Sequence, residues 1–255
     1  MINNIKEIVT QTGNKLLEWR KKSYFSGAWK NNEFKAEVDY KAHKFIKNNL
    51  KKITPKIPIV SEEDFSLIKN TRPKIYWLID PIDGTLSFVN GFPGFVTQIA
   101  LIKNNRPIMS AIFAPLFNNL YSAEYKKGAY LNKKKLIINK KSIKSITDNT
   151  PKPKGITLEI FNYFKLKKYL ESGSISLKIC KIAEGTTDLF VKDITIRDWD
   201  IAAPHLILKE AGGSLVKINN ENFTYTKNYN HNGLIASLNS KHSSQIANWI
   251  KQKNS

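Results

Sequence analysis

The chain reads as a mixed α/β protein built in layers, and three observations predict this. Apolar residues recur at helical spacing near both ends of the chain. Short apolar runs bounded by turn residues fill the middle. The composition, 41% apolar and 24% charged, is that of an ordinary globular chain, and 255 residues give room for one large core or two smaller ones.

Taken in order, residues 2–19 place Ile5, Ile8, Val9, Leu16 and Leu17 on one helical face. Residues 27–33 read as a polar break, and 38–50 as a second helix with Ala42, Phe45, Ile46 and Leu50 on its apolar side. Pro55 and Pro58 force an extended entry into a short buried strand at Ile59 and Val60, which ends on Ser61, Glu62, Glu63 and Asp64. An apolar strand over 75–79 stops at Asp80 and Pro81. Strands over 96–102 and 108–113 flank a turn at Asn104 and Asn105, and two more follow at 120–125 and 128–131. The Lys-, Ser- and Pro-rich stretch 133–154 reads as a boundary. It suggests an N-terminal α+β half over 1–145 carrying Glu62 and the 80–85 loop, and a C-terminal α/β half over 146–255 carrying Asp200. In that half the pattern predicts a strand at 156–160 and a helix at 164–170. A helix at 174–184 closed by Gly185 follows, then a strand at 188–191. Next comes a helix from Ile201 to Glu210, stopped by Gly212 and Gly213. Strands near 215–218 and 234–236 lead to a last helix at 243–251.

The formal net charge of +20 invites an anionic partner, yet only four of the 41 basic residues are arginine. Scattered lysine with abundant Asn and Ile is how an AT-rich coding sequence reads, and sequence-specific nucleic-acid readers lean on arginine. No nucleic acid is therefore expected. Cys180 is the lone cysteine, the first fifteen residues lack the apolar centre of a signal peptide, and no run suits a membrane span. A cytoplasmic location is the expectation.

The informative segment is 77–85. Its apolar strand delivers Asp80 to a carboxyl end, where open sheets place ligands. Pro81 turns the chain so that Asp83 lies beside Asp80, and Gly84 allows a tight entry into a helix starting near Thr85. The amides of Gly84 and Thr85 then favour an anion such as phosphate. At ~4 Å and an effective dielectric of ~20, paired carboxylates repel by ~4 kcal/mol, so a shared proton, a lysine or a divalent cation has to relieve them. An all-oxygen set beside a phosphate-friendly loop selects Mg²⁺ over zinc or copper. The innocent alternative has Asp80 and Asp83 capping a turn and a helix. By themselves, the acidic turn 61–64 reads as solvated and Asp200 as the N-cap of its helix.

Three motifs resolve the choice. Glu62 with Glu63, the run 80–85 followed by Phe88, and Trp199, Asp200, Ala202 and Ala203 with the run 210–213 resemble the inositol monophosphatase superfamily in order and spacing. The resemblance covers nearly the whole chain. It implies a five-layer αβαβα sandwich of the inositol monophosphatase and fructose-1,6-bisphosphatase type and a metal-dependent phosphoric monoester hydrolase. It also implies two or three Mg²⁺ ions held by Glu62, Asp80, the Ile82 carbonyl, Asp83 and Asp200. In that scheme Thr85, turned toward Glu62, orients or deprotonates water, with Glu62 and Glu63 assisting. Asp39 and Trp199 stand behind the ligands, and Asp83, Gly84, Thr85 and Asp200 meet the substrate.

Within the superfamily the chain looks most like the 3′(2′),5′-bisphosphate nucleotidase (CysQ) branch. The likeness rests on the runs 61–64, 121–124 and 173–180 and on Ala183, Glu184 and Gly185. That branch implies a small phosphorylated metabolite as substrate, 3′-phosphoadenosine 5′-phosphate cleaved to AMP and phosphate. Lys178 then either meets a second phosphate or is an ordinary helix-face residue. Leu86, Ser87 and the run 90–93 depart from the branch and keep open an inositol monophosphatase or another sugar-phosphate phosphatase. A basic nucleic-acid binder on the same scaffold is the third reading. Homodimers are common among such proteins. Ser174 is expected to cap its helix and Cys180 to be plain core, while His43, His205, His231 and His242 have no ligand spacing.

Overall fold

The computed structural model describes residues 1–22, 27–30 and 33–36 as backbone, 37–64, 72–226 and 229–253. Among them run helices α1 (Ile2–Lys21), α2 (Glu37–Ile53), α3 (Thr85–Val89), α4 (Gly155–Tyr163), α5 (Ile175–Ala183), α6 (Asp198–Glu210) and α7 (Ser240–Lys253). A hairpin of β1 (Gly27–Lys30) and β2 (Glu33–Ala36) stands where a polar break was expected.

The first sheet has seven strands in chain order: β3 (Ile59–Ser61), β4 (Ile75–Asp83), β5 (Val96–Lys103), β6 (Arg106–Ala114), β7 (Asn119–Glu124), β8 (Gly128–Leu131) and β9 (Lys134–Leu136). The first pair is parallel and the rest antiparallel. The order follows from tight connections. Asn104 and Asn105, at φ 50° and 61°, form the two-residue reversal between β5 and β6 that the right-handed strand twist favours.

The second sheet runs β11 (Lys168–Glu171), β10 (Ser145–Asp148), β12 (Leu189–Arg197), β14 (Asn230–Ser237) and β13 (Ser214–Lys217). Its β11–β10–β12 part is parallel and its β12–β14–β13 part antiparallel.

Three apolar cores stack these sheets. Ile5, Ile8 and Val9 of α1 and Ile46 and Leu50 of α2 pack on Trp77, Ile79, Ile99 and Phe113 of the first sheet. The opposite face of that sheet meets α5 and α6, which also cover Phe190, Ile196, Leu234 and Ala236 of the second. Beyond it, Ile160 of α4 and Ile246 and Ile250 of α7 close the far side. The order helix, sheet, helix, sheet, helix is the αβαβα sandwich the sequence implies.

Four expectations are corrected. The segment 156–160 is helix, because only Thr157 and Ile160 of α4 face inward, the i, i+3 spacing of a helix rather than a strand's alternation. The segment 164–170 contributes the lysine-bearing edge strand β11 instead of a helix. Helix α6 begins at Asp198, three residues ahead of the expected start. Lastly, β4 runs through Asp80 to Asp83, with a register shift between them where Pro81, lacking an N–H, fits a bulge.

Candidate active site

The bulge in β4 brings Asp80 and Asp83 to the same place, and the Ile82 amide donates to Asp80 Oδ1 at 3.0 Å. Gly84 then takes φ +91°, a left-handed conformation that costs glycine little, and starts α3. From the far end of the chain, α6 projects Asp200. Its carboxylate accepts the Arg197 amide at 2.7 Å from the third helical position, so Asp200 is the reciprocal arm of a capping arrangement and not the N-cap. One carboxylate oxygen each from Asp80, Asp83 and Asp200 lies within 4.8 Å of the others.

Asp80 and Asp83 are buried, and a charged carboxylate there is costly. Burial raises the pKa of Asp83, opposed by the Ser176 hydrogen bonds and Lys178. Burial raises Asp200 well above the ordinary carboxylate range, and the charges of Asp83 and Glu62 push it further. In both, burial is the larger cause, and at Asp200 the neighbouring carboxylates add to it.

Two residues absent from the expectations tie the cluster together. Gln98 on β5 donates through Nε2 to the Trp199 carbonyl at 2.8 Å and lies 3.4 Å from Asp80 Oδ2. The Ser176 amide donates to Asp83 Oδ2 at 2.8 Å, and its hydroxyl lies 2.7 Å from the Asp200 carbonyl and 2.9 Å from Gln98 Oε1. Gln98 was discoverable as the one amide in a largely apolar strand. Ser176 sits inside the 173–180 motif, yet nothing in its spacing marks it for Asp83.

A cleft of ≈ 620 Å³ opens over the cluster, lined among others by Glu62, Asp83, Gly84, Thr85, Ser174 and Lys178. Glu62 stands outside the tight three-carboxylate group but lines the same cleft. The turn that carries it is braced from behind: Ser61 Oγ is 2.8 Å from His43 Nδ1, and the Glu63 amide is 3.3 Å from Ser61 Oγ. Thr85, expected to turn toward Glu62, has its hydroxyl 3.0 Å from Asp39 Oδ1 and 3.2 Å from the Ile82 carbonyl. Asp39, buried in the first turn of α2, is thus its direct partner. The Trp199 ring is buried and tilts against Tyr229 at 5.6 Å between centroids.

Lys178 is buried on α5, with Nζ donating to the Gly173 carbonyl at 2.7 Å and 3.8 Å from Asp148. Burial lowers its pKa to about 8 although Asp148 pulls the other way. Ser174 caps α5, accepting the Leu177 amide at 3.2 Å, and Cys180 is fully buried core. His205 bonds Tyr225 and His231 bonds Asp198, and among the described residues neither joins the three converging aspartates. Among the described residues no helix is long and apolar enough to cross a membrane.

The donor set fits a hard divalent ion. It offers three carboxylate oxygens from two segments, β4 and α6, converged in a buried place, with no soft ligand among them.

Comparison with known proteins agrees. The model of the inositol monophosphatase family matches residues 2–254. A 3′(2′),5′-bisphosphate nucleotidase CysQ of Buchnera aphidicola is 36% identical over 197 residues, covering 74% of this chain and 73% of that protein. A Nus factor SuhB of Xylella fastidiosa is 34% identical over 190 residues, 71% of this chain and 68% of that one. Among solved structures, an inositol monophosphatase of Thermotoga maritima superposes with a TM-score of 0.81 at 24% identity, covering 97% of this chain and 96% of the other. With a shared fold, an acidic cluster and a family match over residues 2–254, the chain belongs to the inositol monophosphatase family of metal-dependent phosphatases.

Proposed function

We propose that the protein is a Mg²⁺-dependent 3′(2′),5′-bisphosphate nucleotidase, releasing phosphate from 3′-phosphoadenosine 5′-phosphate to leave AMP. The observation that carries the phosphatase chemistry is the convergence of Asp80, Asp83 and Asp200 beneath an open cleft. The likeness to the Buchnera CysQ protein supports the choice of substrate.

Asp80, Asp83 and Asp200 would hold Mg²⁺, with Glu62 and the Ile82 carbonyl as further oxygen donors. Bound there, the metal supplies positive charge for the phosphoryl oxygens and makes water more acidic. The remaining steps belong to the chain. Thr85 donates its hydroxyl proton toward Asp39 and so presents oxygen lone pairs to the attacking water, whose proton passes along the same path. The water oxygen bonds to phosphorus as the ester P–O bond breaks, and the departing oxygen takes up a proton. The amides of Gly84 and Thr85 receive phosphoryl oxygens as their charge grows. Trp199 and Gln98 hold the Asp200 turn in place.

A second reading, a phosphatase of inositol or sugar monophosphates, is favoured by one observation. Lys178 and Lys192, the cations of the cleft available to a second phosphate, are both paired with Asp148. Phosphate release with Mg²⁺ from adenosine 3′,5′-bisphosphate, inositol monophosphate, fructose 1,6-bisphosphate and AMP separates the two. The nucleotidase reading expects the highest kcat/KM on the adenosine bisphosphate. A higher value on inositol monophosphate transfers the assignment, and no release from any of the four refutes both.

A further inference from the structure

One wall of the cleft comes from the second sheet and carries Asn149, Glu171, Lys192 and Ile194. Asp148, the last residue of β10, lies buried directly behind it. Its Oδ1 is 3.0 Å and its Oδ2 3.2 Å from Lys192 Nζ, and Lys178 Nζ is 3.8 Å from Oδ1. The carboxylate has little freedom to leave. Thr157 donates to Oδ2 at 3.1 Å and the Asn149 amide to Oδ1 at 2.8 Å. Lys178 is further committed to the Gly173 carbonyl. Lys192 of the wall and Lys178 of α5 thus face two carboxylates, Asp148 and Glu171. An anion arriving at Lys192 has to share that ammonium with Asp148 and withstand its repulsion. A neutral hydroxyl meets no such opposition.

We infer that Asp148 is a specificity-determining residue: as the internal counter-anion of Lys178 and Lys192, it weakens the cleft's selection for a substrate bearing a second phosphate. The inference rests on the phosphatase reading in one respect, that the first phosphate lies over the Asp80, Asp83 and Asp200 cluster. Replacing the carboxylate by an isosteric amide keeps a hydrogen-bond acceptor for Thr157 and removes the competing charge. Lys192 is then released to a second phosphate, with Lys178 behind it still held by the Gly173 carbonyl. Hydrogen bonds to charged groups are strong enough for this to change relative affinity by about tenfold.

The test measures dissociation constants for adenosine 3′,5′-bisphosphate and adenosine 3′-monophosphate by calorimetry, with Ca²⁺ replacing Mg²⁺ so that ligand is not consumed. Wild type, Asp148→Asn and Asp148→Ser are compared, the serine variant serving if the asparagine protein fails to fold by circular dichroism. The expected result is a shift of about tenfold toward the bisphosphate in the ratio of the two constants. An unchanged ratio, a shift toward the monophosphate, or no binding of either ligand by any of the proteins overturns the inference. A shift toward the monophosphate would mean that Asp148 aims the lysines at phosphate instead of occupying them. Failure of the phosphatase reading is a separate result, the absence of Mg²⁺-dependent phosphate release across the substrate panel.

Discussion

At the residue scale, charge and burial are matched differently at two places in α6. Asp200 is a carboxylate brought close to other carboxylates, whereas His205, five residues on, is a ring kept neutral. His205 lies near Phe223 and hydrogen-bonds the Tyr225 hydroxyl at 3.0 Å, and burial lowers its pKa from 6.5 to about 4. In the unfolded chain the ring protonates near 6.5, so the fold is penalised once protons are available and the folded ring resists taking one. Its contribution is intact above pH 6.5 and is lost as the pH falls toward and through 4. The melting temperature of wild type should therefore drop more steeply between pH 6.5 and 4 than that of His205→Gln, whose amide still reaches Tyr225. Parallel melting curves over that interval would show that His205 does not contribute to acid sensitivity.

The acidic residues of the cluster were legible in the sequence because each stands at an abrupt end of an apolar run or beside a helix start. Thr85 and Lys178 were legible as candidates but not in their contacts. The Asp39 partner of Thr85 comes from a helix 46 positions away in the chain, and no local pattern encodes that meeting. Ser176 and Asp148 were missed for the same reason, and Gln98, though it stands out in its strand, gave no sign of its partners. Their roles exist only after two sheets have been stacked.

At the scale of elements, the start of α5 is fixed by a contact between two glycines. Gly94 and Gly173 approach so closely that a Cβ built on Gly173 would lie 2.1 Å from the Gly94 carbonyl oxygen, a backbone atom that cannot swing aside. The Ser174 amide donates to that same carbonyl at 2.7 Å. This junction sets where α5 begins and hence where the Ser176 amide meets Asp83. Gly173→Ala should cost about 2 kcal/mol of stability or more, read as a lowered urea midpoint, and should lower kcat as Ser176 moves. A variant with wild-type midpoint and turnover would show that the approach is not constraining.

Helices with long, regular amphipathic faces, α1 and α2, were read correctly from the sequence. Strands β12, β13 and β14 were also placed correctly, whereas α4 and β11 were not. The β-branched and aromatic residues of α4 imitate a strand, and Lys165, Lys167 and Lys168 at the entry to β11 imitate a helix surface. Pairing with β10 and cover from β12 decide both, which is tertiary context overriding local preference.

At the scale of the whole molecule, two sheets and the paired helices between them exist to bring β4 and α6 together. The first supplies Asp80 and Asp83, the second Asp200, and α5 joins them through Ser176. Metal-free, that meeting point is a concentration of like charge inside the fold, so the molecule spends stability there that a cation would return. Ligand binding at about one hundred times its dissociation constant adds about 2.7 kcal/mol, which for a chain of this size corresponds to roughly 5–10 °C in melting temperature. Asp83→Asn removes one of the crowded charges and keeps an acceptor for the Ser176 amide.

The decisive measurement is thermal melting of chelator-treated wild type and Asp83→Asn at neutral pH, each titrated with Mg²⁺. Without metal, the variant should melt no lower than wild type. Added Mg²⁺ should raise wild type by several degrees and leave the variant nearly unmoved. An equal Mg²⁺ response in the two proteins, or none in wild type, would mean that the three aspartates do not form a metal site.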